Sequence, residues 1–343
     1  MSKVRIKSID FLKGITIILV VWGHAIQTIN PLPGDNTIFN LIYSFHIPLF
    51  MFLSGFVSYK LRNTLDDIKK RAYQLLMPFF VYPLIAGILL HGNFSILRWV
   101  EIIETPDSGL WFLYVLFYIT SFFIIINVIN SKSGGGKKRL HILYIIGSIA
   151  VFIMFSAIAI YLRKVTGGRV DYGTSLFARH TIYFLLGMMS RAYIDKIKNL
   201  LLRTWYIYIP FWFVLALFWR MGNSPSFINN PNIAINMLYY YVTGVMGIVM
   251  MFSICLRFVT QESNNIMVGV VTYIGTITLG IYAIYISIVM RVVCEYFESW
   301  NINYSLTVLL SFICSMLICV LLIKIIEKLN VLPQLLLGKV RYK

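Results

Sequence analysis

Lys13 and His24 could do chemistry in a place where chemistry is costly. They bracket the apolar stretch in FLKGITIILVVWGHAIQ, residues 11–27. A helix turns about 100° and rises about 1.5 Å per residue, so eleven steps bring His24 back to within roughly 20° of Lys13, about 16 Å along the axis. Asp10 and Gln27 fall near the same face. One stripe therefore reads Asp10, Lys13, His24, Gln27, with the small residues Gly14 and Gly23 beside it. Lysine supplies a fixed cation, and histidine exchanges a proton near neutral pH. Ionisable groups in a membrane-grade segment usually line a cavity or a substrate path. Taken singly, Lys13 could snorkel to the inner surface and His24 could sit among headgroups. Their shared face, with Asp10 joined to it, favours a common role.

The rest of the chain sets the context. It has 343 residues, of which 59% are apolar and 13% charged. Soluble domains carry roughly twice that charged fraction, so one water-surrounded core is excluded and a polytopic membrane protein is expected. The net charge of +17 would suggest nucleic acid in a soluble protein. Here the placement of the charges answers it, and no nucleic-acid partner is expected. Cys255, Cys294, Cys314 and Cys319 lie in or beside apolar segments without metal-ligand spacing and read as small hydrophobes. No metal site is expected. The first thirty residues resemble a signal peptide, but no small-x-small cleavage site follows His24, so the stretch reads as a retained first span. The sequons at Asn93 and Asn303 carry no argument.

About 20 mostly apolar residues cross a bilayer as a helix. Ten such spans are expected, near 9–29, 39–59, 73–92, 109–130, 141–161, 178–194, 204–221, 233–256, 266–293 and 304–328. The sixth is the most polar. The ninth is long enough to tilt or break at Gly275 or Gly280. With the N-terminus inside, 22 of the 30 lysines and arginines fall on inner segments, among them Lys3, Arg5, Arg341 and Lys343, and 7 on outer ones, with Lys13 inside the first span. That asymmetry predicts both termini cytoplasmic. The fold class expected is all-α polytopic, with residues 1–343 forming a single transmembrane domain and no separate soluble one. SKSGGGKKR (131–139) lacks the glycine spacing of a phosphate-binding loop and reads as a flexible inner connector.

Five motifs carry a resemblance. IDFLKGITIILVVWGHAIQ (9–27) is similar to the first helix of the membrane acyltransferase-3 family, with an acidic residue, a basic residue and a later histidine at Asp10, Lys13 and His24. The family more often has arginine where Lys13 stands. FHIPLFMFLSGF (45–56) resembles the second-helix signature, with His46, Pro48, Ser54 and Gly55 in place. KKRAYQLLMPFFVY (69–82) resembles the basic run that opens the third helix, GLWFLYVLF (109–117) the start of the fourth, and YIGTITLGIYAIYISI (273–288) a late motif. Two positions depart. Gln74 stands where the family often has a second Arg or Lys, and Tyr285 where the late motif often ends in His.

The resemblance implies transfer of an acyl group, usually acetyl from acetyl-CoA, to a hydroxyl of a sugar or envelope glycan. It implies a location in the plasma (inner) membrane, with acetyl-CoA as co-substrate and no bound cofactor. His24 is then the general base, with a covalent acetyl-histidine as an open alternative. Lys13 holds donor phosphate or polarises the thioester, and Asp10 orients or neutralises Lys13. Arg71 and Lys70 are expected to meet the donor's phosphates. His46, Trp111 and Ser54 are expected on the acceptor side. His46 could equally be a structural hydrogen-bonder before Pro48, and Trp111 an interface anchor. His180 and Arg179 read as contacts to an anionic headgroup, and Tyr239 to Tyr241 as an interfacial belt. A non-catalytic exporter of a polysaccharide or lipid-linked sugar is the alternative function.

Overall fold

A computed structural model describes residues 6–92, 95, 97–106, 110–221, 233–263, 265–330 and 332–339. Lys3, Arg5, Arg341 and Lys343 of the charge pattern, the sequon at Asn93 and Gly109 of the fourth motif lie outside the described residues.

In lipid every backbone N–H and C=O must be satisfied within the protein, so an apolar chain of this length resolves into helices. The described residues contain no strand. The helices are α1 (Lys7–Ile29), α2 (Thr37–Tyr43), α3 (His46–Ser58), α4 (Leu65–His91), α5 (Leu97–Glu104), α6 (Trp111–Lys132), α7 (Lys137–Thr166) and α8 (Thr174–Ala192). They continue with α9 (Ile194–Leu217), α10 (Ile233–Phe258), α11 (Ile266–Thr276), α12 (Thr278–Ile284), α13 (Met290–Glu298), α14 (Tyr304–Glu327) and α15 (Leu332–Leu337). A π-helical segment, Tyr285–Val289, joins α12 to α13.

Nine stretches among the described residues are long and apolar enough to cross a membrane: α1, α2 with α3, α4, α6, α7, α9, α10, α12 through α13, and α14. The protein is an all-helical, multi-pass membrane protein. The remaining expected span corresponds to α8. Its 19 residues cover about 28 Å, but Arg179, His180 and Arg191 make it more polar than the nine. The long ninth span does break, at Ile277, which interrupts the helix between Thr276 and Thr278.

The chain divides into two compact units. The first comprises Met1–Leu53, Tyr193–Ile281 and Val289–Val320, and the second Ser54–Ala192, Tyr282–Ile288 and Leu321–Lys343. In the first, α1 lies against α11 at backbone contact. A Cβ on Gly14 would fall 2.0 Å from the Val271 carbonyl oxygen, and one on Gly275 1.7 Å from that of Asp10. Residues 10 and 14 on one helix face 271 and 275 on the other, the spacing of small-residue crossings in membranes. Nearby, Gly247 leaves room for Phe45, whose ring meets Trp212 edge-on at 5.2 Å. Tyr239 and Tyr240 donate to the carbonyls of Leu215 and Arg220, which ties α10 to the end of α9.

In the second unit, Asn127 of α6 is 0% exposed. It donates to the Lys60 carbonyl (2.9 Å) and the Tyr144 hydroxyl (3.1 Å) and accepts from the Asn63 backbone (2.9 Å). The connector from α3 to α4 is thereby fastened to the bundle. The expected flexible connector at 131–139 is instead a short turn between α6 and α7. The Asn130 side chain donates to the Gly135 carbonyl at 2.9 Å, and the Gly135 amide returns a bond to the Asn130 carbonyl at 2.8 Å. Before α8, Asp171 accepts hydrogen bonds from the hydroxyls of Thr174 and Ser175 and from the Ser175 amide. Burial alone would raise the Asp171 carboxyl. These bonds, with Arg163 nearby, outweigh it and hold the group below its ordinary value.

Two outcomes follow for stability. Gly275→Ala sets a methyl on the Asp10 carbonyl and is expected to cost about 1–3 kcal/mol. Gly269→Ala, in the same helix with open space at its Cβ, should be neutral or gain up to about 1 kcal/mol. Thermal unfolding in detergent ranks the two. A carboxyl whose folded pKa is lowered stabilises above its unfolded value of about 3.9 and loses that contribution as pH falls through the folded value. Wild type should therefore unfold at a higher temperature than Asp171→Asn at pH 7, and the gap should close as the medium is acidified below about pH 4.

Candidate active site

The polar stripe of the first helix survives as geometry. α1 runs unbroken from Lys7 to Ile29, so Lys13 and His24 stay on one face. Near its N-terminal end, Lys13 Nζ lies 3.2 Å from Asp10 Oδ1. Asp10 is 9% exposed and Lys13 half-buried. A buried carboxylate is tolerable when paired, and the pairing holds the ammonium on the face toward Gly14.

Toward the other end the stripe meets α2 and the start of α3. Proline at 48 cannot donate to the Ser44 carbonyl, and the chain breaks between Tyr43 and His46. The break turns His46 back on the segment it follows. His46 Nδ1 lies 2.9 Å from the Ile42 carbonyl oxygen, and the residue is 1% exposed. The Tyr43 ring neighbours both histidines. Its centroid is 4.5 Å from that of His46, edge-on, and 6.0 Å from that of His24. Three contacts fix this ring. Phe39 stacks on it at 3.8 Å, and its hydroxyl donates to Gln27 Oε1 at 2.7 Å. Gly23 admits it, since a Cβ there would lie 2.8 Å from the ring. His24 itself is half-buried. Thus Gln27, at the end of the stripe, holds the tyrosine of a two-histidine cluster.

The other named residues belong to the second unit. Arg71, half-buried on α4, donates to Gln74 Oε1 at 3.1 Å and to Ser58 Oγ at 3.0 Å. Both clamps are neutral, and among the described residues no carboxylate lies at ion-pair distance from it. Lys70 is half-buried beside it, whereas Lys69 is exposed and paired with Asp66 at 3.2 Å. Gly338, past α15, packs on the Gln74 backbone, where a Cβ would lie 2.3 Å from its oxygen. Trp111 opens α6 and stacks on His180, ring centroids 5.3 Å apart and 25° between planes. His180 is thus part of an aromatic stack rather than a surface contact. Ser54 is half-buried within α3.

The structure therefore gathers His24 and His46 around Tyr43, and Asp10 with Lys13 farther down the same helix. Lys70 and Arg71, and Trp111 with His180, form two further groups in the second unit. Sequence reading missed Tyr43 and the service of Gln74 to Arg71. Tyr43 lies three residues before His46, on a helix the break makes separate, so the spacing alone gave no cue. Gln74 stands three residues after Arg71 on one helix, an i,i+3 pairing that could have been read.

The comparisons bear on what this arrangement does. The Nodulation protein NolL of Sinorhizobium fredii (strain NBRC 101917 / NGR234) is 36% identical over 110 residues, 30% of this chain and 25% of that protein. The Nodulation protein NolL of Mesorhizobium japonicum (strain LMG 29417 / CECT 9101 / MAFF 303099) is 30% identical over 165 residues, 45% of this chain and 42% of that protein. The chain thus spans less than half the length of either curated relative. No solved structure matches it. The family model described as an acyltransferase domain matches residues 6–324, from the start of α1 into the last turn of α14, and the chain belongs to the acyltransferase-3 family of membrane acyltransferases.

Proposed function

We propose that this protein is an O-acyltransferase of the plasma (inner) membrane that moves an acetyl group from cytoplasmic acetyl-CoA to a hydroxyl of an envelope or exported glycan. The observation that carries the reading is the His24–Tyr43–His46 cluster on the polar face of α1, in a chain that matches the acyltransferase domain. His24 takes the proton of the acceptor hydroxyl as its oxygen attacks the thioester carbonyl. The carbon–sulfur bond breaks, and the imidazolium returns the proton to the departing thiolate, giving an ester and free CoA thiol.

Two roles are open to Lys13. Its place about 16 Å along the axis from His24 puts its ammonium out of reach of a carbonyl attacked beside that imidazole. Holding the charged portion of an elongated donor is the role that fits, with Asp10 orienting the ammonium. Arg71 is proposed to hold donor phosphate, with Lys70 beside it. Clamps that carry no charge orient its guanidinium without cancelling it, the condition under which arginine binds an anion. Trp111, stacked on His180, offers an aromatic face for a sugar ring, and His46 and Ser54 are each proposed to bind the acceptor. The charge asymmetry supports both termini in the cytoplasm, with α8 as a tenth crossing.

Purified protein with labelled acetyl-CoA and candidate glycans tests this. Wild type should label the glycan, and His24→Ala should lower kcat on the order of 10²–10⁴-fold while remaining folded. Equal turnover by both would remove the mechanism. Arg71→Ala should raise the KM for acetyl-CoA roughly 10–100-fold with kcat little changed. A loss confined to kcat would take Arg71 out of donor binding.

A further inference from the structure

His46 carries an atom that the protein leaves unmatched. Its Nδ1 lies 2.9 Å from the Ile42 carbonyl oxygen. A carbonyl only accepts, so the ring proton sits on Nδ1 and Nε2 is a bare lone pair. That Nε2 is buried and has no hydrogen-bond partner among the described residues. A buried acceptor left unpaired is costly, and nearly all such groups in native proteins are paired with protein, ordered water or a bound molecule.

The neighbouring hydroxyl cannot be that partner. Tyr43, edge-on to the His46 ring, already donates to Gln27 Oε1 at 2.7 Å. Nor is the ring free to turn. Gly23 meets one edge at a distance that excludes a Cβ, and Phe39 stacks on its plane at 3.8 Å. The missing donor must therefore come from outside this cluster. His24 neighbours the same ring.

We propose that His46 Nε2 accepts a hydrogen bond from a second hydroxyl of the acceptor, different from the one acylated, so that this protein selects polyols over simple alcohols. The inference rests on the acyltransferase reading for which hydroxyl is acylated, and on the His46 geometry alone for the second one. Its physical basis is the asymmetry of buried polar groups. A site that pairs with a substrate hydroxyl rejects the analogue lacking it, because the site's own polar atom is then stranded. Tyr43 is the positioning residue that keeps the two imidazoles on separate hydroxyls.

The test separates binding from turnover. Detergent-purified full-length protein is titrated, without donor, with methyl α-glucoside and methyl α-mannoside and with each of their monodeoxy analogues. For wild type, one deoxy position should weaken binding roughly tenfold or more. In His46→Phe that position should cost nothing further, while the other deoxy positions keep their wild-type ratios. His46→Gln, which retains an accepting oxygen, should restore part of the discrimination. Should His46→Phe unfold, the His46→Gln and wild-type ratios still decide the matter. A wild type indifferent to every deoxy position, glycosides that do not bind at all, or a His46→Phe variant with the wild-type pattern would each overturn the proposal. Label transfer from acetyl-CoA is measured on the same preparations. Its absence beside a normal deoxy pattern would strike the acyltransferase reading and leave His46 standing, whereas normal transfer with no deoxy pattern would do the reverse.

Discussion

At Gly14 and Gly23 a neighbour comes against the backbone of α1, and the arrangement of the first unit follows from these contacts. At Gly14 the Val271 carbonyl occupies the space a side chain would need, and at Gly23 the Tyr43 ring does. Membrane helices gain no hydrophobic drive from meeting one another, so close van der Waals approach and hydrogen bonds must hold them. Nine residues separate the two contacts, which is about 13 Å of helix. Lys13 adjoins one and His24 the other. The helix that bears the charged and titratable groups is therefore gripped beside each of them.

The crossing with α11 also explains why the late segment is interrupted. Gly275 must lie flat on the Asp10 carbonyl, and the helix loses its regular path two residues later at Ile277. The chain resumes as α12 and then widens into the π-helical segment that begins at Tyr285. Such widenings are frequent at functional sites. Here the residue at its start is a fully buried tyrosine.

Much of this was readable before any coordinates. Hydropathy alone marks segments such as residues 304–328 and 109–130, because a bilayer admits little but apolar helices. The face shared by Lys13 and His24 follows from helical arithmetic. What escaped had tertiary causes. The α6–α7 connector looks flexible from its three glycines, yet Asn130 folds its amide back on Gly135 and closes the turn. His180 looks interfacial, yet it is covered by Trp111, far earlier in the chain. Tyr43 is one of 22 tyrosines, and only the break after it, with Gly23 opposite, sets it apart. Polarity misleads in α8 as well, where arginines at 179 and 191 depress the hydropathy of a helix whose length is ample.

The treatment of charge differs between the two units in a way that bears on function. Lys13 is given a carboxylate partner, and Asp10 is mostly buried. Arg71 is given two neutral oxygens instead. Asp67, one turn earlier on α4, acts on the guanidinium through space, but the atoms that hold it are uncharged, and an acid at position 74 would make a direct ion pair instead. Glutamine there fixes the guanidinium by geometry while leaving its field intact. The substitution of Gln74 for a base has the same consequence from the other side. A base at position 74 would repel the guanidinium, where glutamine accepts a hydrogen bond from it. Arg71 is thus fixed by two neutral partners, Gln74 and Ser58, whereas Lys13 is fixed by an acid.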